Sequence, residues 1–132
     1  MVEQPHLEVG GNDIAVHVLA HAVAVRPTGE IDIETAPSLR LALSEALAHA
    51  SPAKPVVVDC SRLTFCDSSA LNALLTARRT AQDTDTVIRL AAPNHQLQRL
   101  LEMTGTAPLF PLDQDPPTAG HFPRGYTDRL PQ

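Results

Sequence analysis

Hydrophobic positions change period several times along this chain, and each change marks an element. Asp13-Ile14-Ala15-Val16-His17-Val18-Leu19 and His21-Ala22-Val23-Ala24-Val25-Arg26-Pro27 are alternating or β-branched. They predict neighbouring strands over 13–19 and 21–27, a hairpin preceded by a turn at Gly11-Asn12. His17 reads as an ordinary surface histidine of the first strand. Pro27 and Gly29 end the second strand before an acidic loop, Glu30-Ile31-Asp32. Leu39, Leu43, Ala46, Leu47 and Ala50 then recur at helical spacing until Ser51-Pro52. Thr35 is the N-cap candidate of that helix, and Pro37 falls in the first turn, where a missing N–H costs nothing.

Three consecutive valines, 56–58, follow Pro55 in the segment 55–60, predicting a strand buried on both faces. A short linker follows, then a helix near 68–82 with Leu71, Leu74 and Leu75 as its inward stripe. Val87-Ile88-Arg89-Leu90-Ala91 predicts a further strand ended by Pro93. Asn94 caps a third helix that buries Leu97, Leu100 and Leu101 and stops at Gly105, where a left-handed residue is wanted. Leu109-Phe110-Pro111-Leu112 predicts a short edge strand. Such alternation implies an α/β domain over 13–112, with an antiparallel opening hairpin and parallel strands later, about 4–5 strands and 3–4 helices in all. Residues 1–12 read as a lead-in. Residues 113–132 hold four of the twelve prolines and no regular period, so they read as a mobile tail that Phe122 and Tyr126 anchor at most in part.

Composition narrows the function. With 132 residues, 43% hydrophobic, the chain has material for one domain with a core. A net charge of -5, no Trp, one Tyr and three Phe disfavour direct nucleic-acid binding. No apolar run approaches the roughly 18 residues that cross a bilayer, and no apolar segment follows a basic start, so a cytoplasmic protein is expected. Cys60 and Cys66 read as small buried hydrophobes rather than a disulfide. The six histidines show neither HExxH nor paired Cys/His spacing, and no metal or cofactor is expected.

The candidate chemistry lies at Asp67-Ser68-Ser69, where the buried strand hands over to the second helix. Asp and Ser are common N-caps, so capping alone accounts for these residue types. The first amides of a helix also carry partial positive charge, and a phosphate attached there would find donors already in place. Opposite the leucine stripe, Ser69, Asn72, Ala73 and Thr76 form a small, uncharged face suited to docking. In open α/β sheets functional groups gather beyond the carboxyl ends of strands, so the Glu30–Asp32 loop and the Asp67–Ser69 turn are expected at one end. Asp32 reads as a cap for local amides, and Arg78 and Arg79 as complements to the helix dipole.

Three separated pieces resemble the STAS-domain anti-sigma factor antagonists of bacteria. They are Thr28-Gly29-Glu30-Ile31-Asp32 with Thr35-Ala36-Pro37, Val56-Val57-Val58-Asp59 with Phe65-Cys66-Asp67-Ser68-Ser69-Ala70-Leu71, and Leu97–Leu101 with Gly105 and Leu109-Phe110. The resemblance implies a STAS fold and a non-enzymatic antagonist that binds an anti-sigma factor serine kinase, freeing a sigma factor. It implies phosphorylation at Ser68, reversal by a PP2C-type phosphatase, and supporting interface roles for Glu30, Asp32, Asp67 and Ser69. Family members often carry Gly where this chain has Ala70, whose methyl is expected to firm the helix start and narrow access to Ser68. A monomer or weak dimer is expected. The alternative is a STAS scaffold or regulatory module for a different partner. An esterase-like reading, with Ser68 or Ser69 as nucleophile and His95 as base, lacks a Gly-x-Ser-x-Gly elbow, and nucleotide binding lacks a Walker motif.

Overall fold

In the computed structural model, residues 8–9 and 14–117 are described. Eight strands and three α-helices follow in the order β1 (Glu8–Val9), β2 (Ala15–Val18), β3 (Val23–Arg26), β4 (Gly29–Ile31), α1 (Ala36–His49), β5 (Val56–Asp59), β6 (Leu63–Cys66), α2 (Ser68–Gln82), β7 (Ile88–Ala91), α3 (His95–Met103) and β8 (Leu112–Asp113). A 3-10 helix, Ala107–Leu109, separates α3 from β8. The main sheet has the order β1-β2-β3-β5-β7-β8, antiparallel across its first three strands and parallel thereafter. This is the mixed α/β architecture expected, with six strands in the main sheet rather than four or five. The added edge strand is Glu8–Val9, inside the expected lead-in, while the expected last strand is shifted to include Asp113, the first residue assigned to the tail. The turn at Gly11-Asn12 and the aromatic residues Phe122 and Tyr126 lie outside the described residues.

Alternation along the strands explains the layering. Val16, Val23, Val25, Val56, Val58, Ile88 and Leu90 join one cluster with Leu39 and Leu43 of α1, Leu71 and Leu74 of α2, and Leu97 and Leu101 of α3. The opposite side chains of the same strands include His17, Arg26, Asp59 and Arg89. Their charges are paired: Arg26 Nη1 lies 2.7 Å from Asp59 Oδ2, Arg26 Nε donates to His17 Nδ1 at 3.0 Å, and Arg89 meets Asp113 at 2.7 Å. His17 is therefore part of a cross-strand cluster rather than a solitary surface residue.

Asp59 is buried and also accepts from the Ser61 N–H at 3.0 Å. Removing its carboxylate strands the half-buried Arg26 guanidinium. Asp59→Ala is expected to cost about 2–3 kcal/mol, below the cost of a fully enclosed pair because Arg26 retains solvent access. Urea denaturation checks this, and a midpoint equal to wild type refutes it.

The segments between the main strands hold the principal surprise. Gly29–Ile31, spanning the expected strand end and the first two residues of the acidic loop 30–32, are β4, and 63–66, read as linker, are β6; the two pair in parallel as a second, two-stranded sheet. The pair was hidden because each strand is short and its partner lies more than thirty residues away. Gly29 has φ +73°, a left-handed conformation that L side chains rarely adopt, and the register shifts between Gly29 and Glu30. Residues 109–112 also differ from a single edge strand: Leu109 ends the 3-10 helix, and only Leu112–Asp113 pairs with β7. Pro108 lies inside that 3-10 turn.

Candidate functional site

The second sheet places the two suspected loops side by side. β4 follows β3 and β6 follows β5, so each extends past the carboxyl end of a main-sheet strand. The Asp67 N–H donates to the Ile31 carbonyl at 3.2 Å, which ties the turn at Asp67 to the end of β4. Glu30 is exposed and stands opposite Phe65 across the pair.

Asp67 is extended and caps α2: its Oδ1 accepts from the N–H groups of Ser69 at 2.8 Å and Ala70 at 3.3 Å. This alters the expected electrostatics. Two of the opening amides that would hold an anion already hold the Asp67 carboxylate, so a phosphate on Ser68 would sit beside a fixed negative charge. Ser68 is exposed, as access by another protein requires, and Ser69 is half-buried. Asp67→Ala is expected to lower stability by about 1 kcal/mol, whereas Asp67→Asn, also a capping residue, is expected to stay within a few tenths. Thermal denaturation of the three proteins checks this, and equal losses in both variants would refute capping as the role.

Along α2, Asn72 and Thr76 are exposed as expected, but Ala73 is buried, at 1% exposure. The reason is a second inward stripe: Ala70, Ala73, Ala77 and Ala81 are all buried, and small side chains at this spacing let α1 approach closely. Ala73 and Ala77 line a groove between the helices, with Arg40, Ser44 and Leu47 from α1 and Thr76 and Thr80 from α2. Leu75 is accordingly only partly buried. Ala70 is 1% exposed, so its methyl packs inward and does not narrow access to Ser68.

Asp32 has local duties. Its Oδ1 accepts from the N–H groups of Glu34 at 2.9 Å and Thr35 at 3.2 Å. Thr35, expected to cap α1 by its hydroxyl, makes no side-chain cap; its Oγ1 instead accepts from Asp32 N–H at 2.8 Å, and Asp32 O accepts from Ala36 N–H at 2.7 Å. The turn thus closes on itself before the helix begins. Arg79 lies in the last turn of α2 as expected, whereas Arg78 Nε reaches the Leu109 carbonyl at 3.1 Å and fastens the 3-10 segment.

The sequence reading missed two exposed apolar residues at this end. Ile33, between β4 and α1, is 76% exposed, and Phe65, in β6, is 42% exposed. Both sit within two residues of a suspected contact residue, Ile33 beside Asp32 and Phe65 two before Asp67. It also missed the role of α3. Asn94 Nδ2 donates to Leu63 O at 3.1 Å, Gln96 Oε1 accepts from Cys66 N–H at 3.0 Å, and Gln96 Nε2 donates to Cys66 O at 2.7 Å.

Cys60 and Cys66 are buried free thiols. Burial, then the neighbouring Asp67 carboxylate, pushes the Cys66 thiol up to about 11, and burial raises Cys60 further, so both are neutral at physiological pH. Among the described residues, no group of His, Cys, Asp and Glu is arranged to hold a metal, and no helix is long and apolar enough to cross a membrane.

Comparison with known proteins fits this geometry. The fold superimposes on the unphosphorylated anti-sigma factor antagonist SpoIIAA with a TM-score of 0.65, at 19% identity over 76% of this chain and 88% of that one. SpoIIAA of Bacillus in its phosphorylated form gives 0.56, at 20% identity over 83% and 92% of the two chains. An anti-sigma factor antagonist from Mycobacterium paratuberculosis gives 0.62, at 25% identity over 82% and 83%. The family described as "Mlab, STAS domain" matches residues 14–111, from the buried Ile14 that precedes β2 to the residue before β8. With three quarters of its length matched and the same mixed sheet, this chain belongs to the STAS-domain family and has the fold of the anti-sigma factor antagonists.

Proposed function

We propose that this domain is a non-enzymatic, cytoplasmic anti-sigma factor antagonist. It binds an anti-sigma factor that is also a serine kinase, so releasing a sigma factor, and phosphorylation of Ser68 ends the binding. The observation that carries the reading is the exposed Ser68 at the first turn of α2, directly after the Asp67 cap. Around it lie the exposed Asn72 and Thr76, the half-buried Ser69, and Glu30, Phe65 and Ile33 from the adjoining segments. Small polar side chains and two exposed apolar ones suit a surface that a partner covers with little charge desolvation.

Phosphorylation adds about 1.5–2 negative charges at pH 7. Asp67 occupies nearby helix amides, leaving them unavailable to neutralise that charge. A partner closing over Ser68 would therefore have to desolvate the phosphate or offer a cation. No refolding step is needed, and a PP2C-type phosphatase would restore the binding form. Glu30 and Asp67 border the contact, while Asp32 supports it through the shape of its turn.

Incubation with anti-sigma factor kinases and ATP, followed by mass spectrometric mapping, tests the assignment. Phosphate on Ser68 that disappears in Ser68→Ala is expected. Tight binding to a regulatory partner with no phosphate on Ser68 in the presence of every such kinase would favour the scaffold reading instead.

A further inference from the structure

The edge of β6 that faces away from β4 is completed by side chains rather than by a strand. Gln96 meets both hydrogen-bonding groups of one residue: its carbonyl takes the Cys66 N–H at 3.0 Å and its amide NH2 gives to the Cys66 carbonyl at 2.7 Å. A primary amide offers the same donor and acceptor pair that a neighbouring strand would offer. Asn94 adds a third bond, to Leu63 O, while its own Oδ1 caps α3 through the Leu97 N–H at 2.8 Å. Cys66 is 3% exposed, so water is a poor substitute for either bond to Gln96. The next residue is the Asp67 cap, held on its other side by the Ile31 carbonyl, and Ser68 follows it.

We propose that Gln96 is a positioning residue for the Ser68 turn: its side-chain amide pins the Cys66 peptide groups from α3 so that the acceptor hydroxyl is presented in one geometry. The functional part rests on the reading of Ser68 as phosphate acceptor; the structural part does not. In-line transfer needs the attacking oxygen near its reactive position, so a loosened turn lowers the turnover of the kinase more than its binding of this substrate. Ser68 itself stays exposed in either case, which separates presentation from access.

The test compares wild type, Gln96→Leu and Gln96→Glu by amide hydrogen exchange and by steady-state phosphorylation with an anti-sigma factor kinase. Gln96→Leu is expected to lose about tenfold or more protection at the amides of Cys66 through Ala70 while Val56–Val58 of β5 keep theirs. Its kcat is expected to fall about tenfold with KM changed less than about twofold. Gln96→Glu supplies a second readout. Ionised, it keeps an acceptor for the Cys66 N–H but faces the Cys66 carbonyl with no donor; protonated, it offers both. Protection factors, each normalised to the intrinsic exchange rate, are therefore expected to recover between about pH 7.5 and about pH 4.5 in Gln96→Glu and not in Gln96→Leu.

Unchanged protection at 66–70, equal losses in β5, or no recovery of the Glu variant would each overturn the positioning role. So would wild-type kcat in Gln96→Leu. Wild-type protein that accepts no phosphate from any anti-sigma factor kinase would instead remove the reading of Ser68, and the exchange data would still decide whether Gln96 holds the turn.

Discussion

Ser68→Asp is expected to bind an anti-sigma factor kinase about 30-fold or more weakly than Ser68→Ala, because a carboxylate left unpaired inside a covered interface costs about 2–5 kcal/mol and each 1.4 kcal/mol is tenfold. The sign follows from the surroundings of Ser68. Its neighbour Asp67 is committed to the Ser69 and Ala70 amides, so a new negative charge at 68 meets another carboxylate rather than a helix end free to receive it. Ser68→Ala removes a small hydroxyl from an exposed position and should leave affinity close to wild type while abolishing phosphorylation. Isothermal titration with the two variants decides the matter. Equal affinities would mean that the partner does not cover Ser68, and the switch as described would be lost.

The largest expected effect on stability is at Phe110. It is 2% exposed, is the largest of the fully buried side chains, and packs in the cluster shared by the sheet and the helices. Truncation to Ala removes an aromatic ring from a close-packed interior, and such changes cost about 3–5 kcal/mol. In a domain of this size that corresponds to a fall in Tm of roughly 12–40 °C, enough to leave a marginal protein partly unfolded near 37 °C. Calorimetry would show it. A loss below about 1 kcal/mol would imply that the 3-10 segment detaches readily from the core.

Much of the fold was legible because its signals are local. Val56-Val57-Val58 announced a strand with both faces covered, and all four residues of β5 are buried. The helix expected near 68–82 runs over Ser68–Gln82, with Asp67 as its cap. Asn94 caps α3, and Gly105 has the left-handed φ of +72° expected after a helix. Each of these depends on a few adjacent residues and on the fixed periods of helix and strand.

The errors share a different origin. Ala73 faces inward although the stripe of Leu71, Leu74 and Leu75 points it outward; alanine is too small to declare which side it takes until α1 arrives. β4 and β6 escaped notice because three or four residues carry little period and their pairing joins distant parts of the chain. Asp67 was read correctly as a cap, yet the consequence for a phosphate emerged only from which amides its carboxylate reaches.

By itself, then, the order of residues determined the α/β alternation, the three α-helices, the hairpin and the position of the hydroxyl-bearing turn, because these are set by side-chain period, capping and backbone preference over short spans. Tertiary structure alone decided that β4 and β6 meet, that α3 reaches across to hold Cys66 through Gln96, and that Ile33 and Phe65 are left exposed. Those outcomes depend on contacts between segments some thirty residues apart, where the gain comes from satisfying buried N–H and C=O groups and no local pattern records the partner.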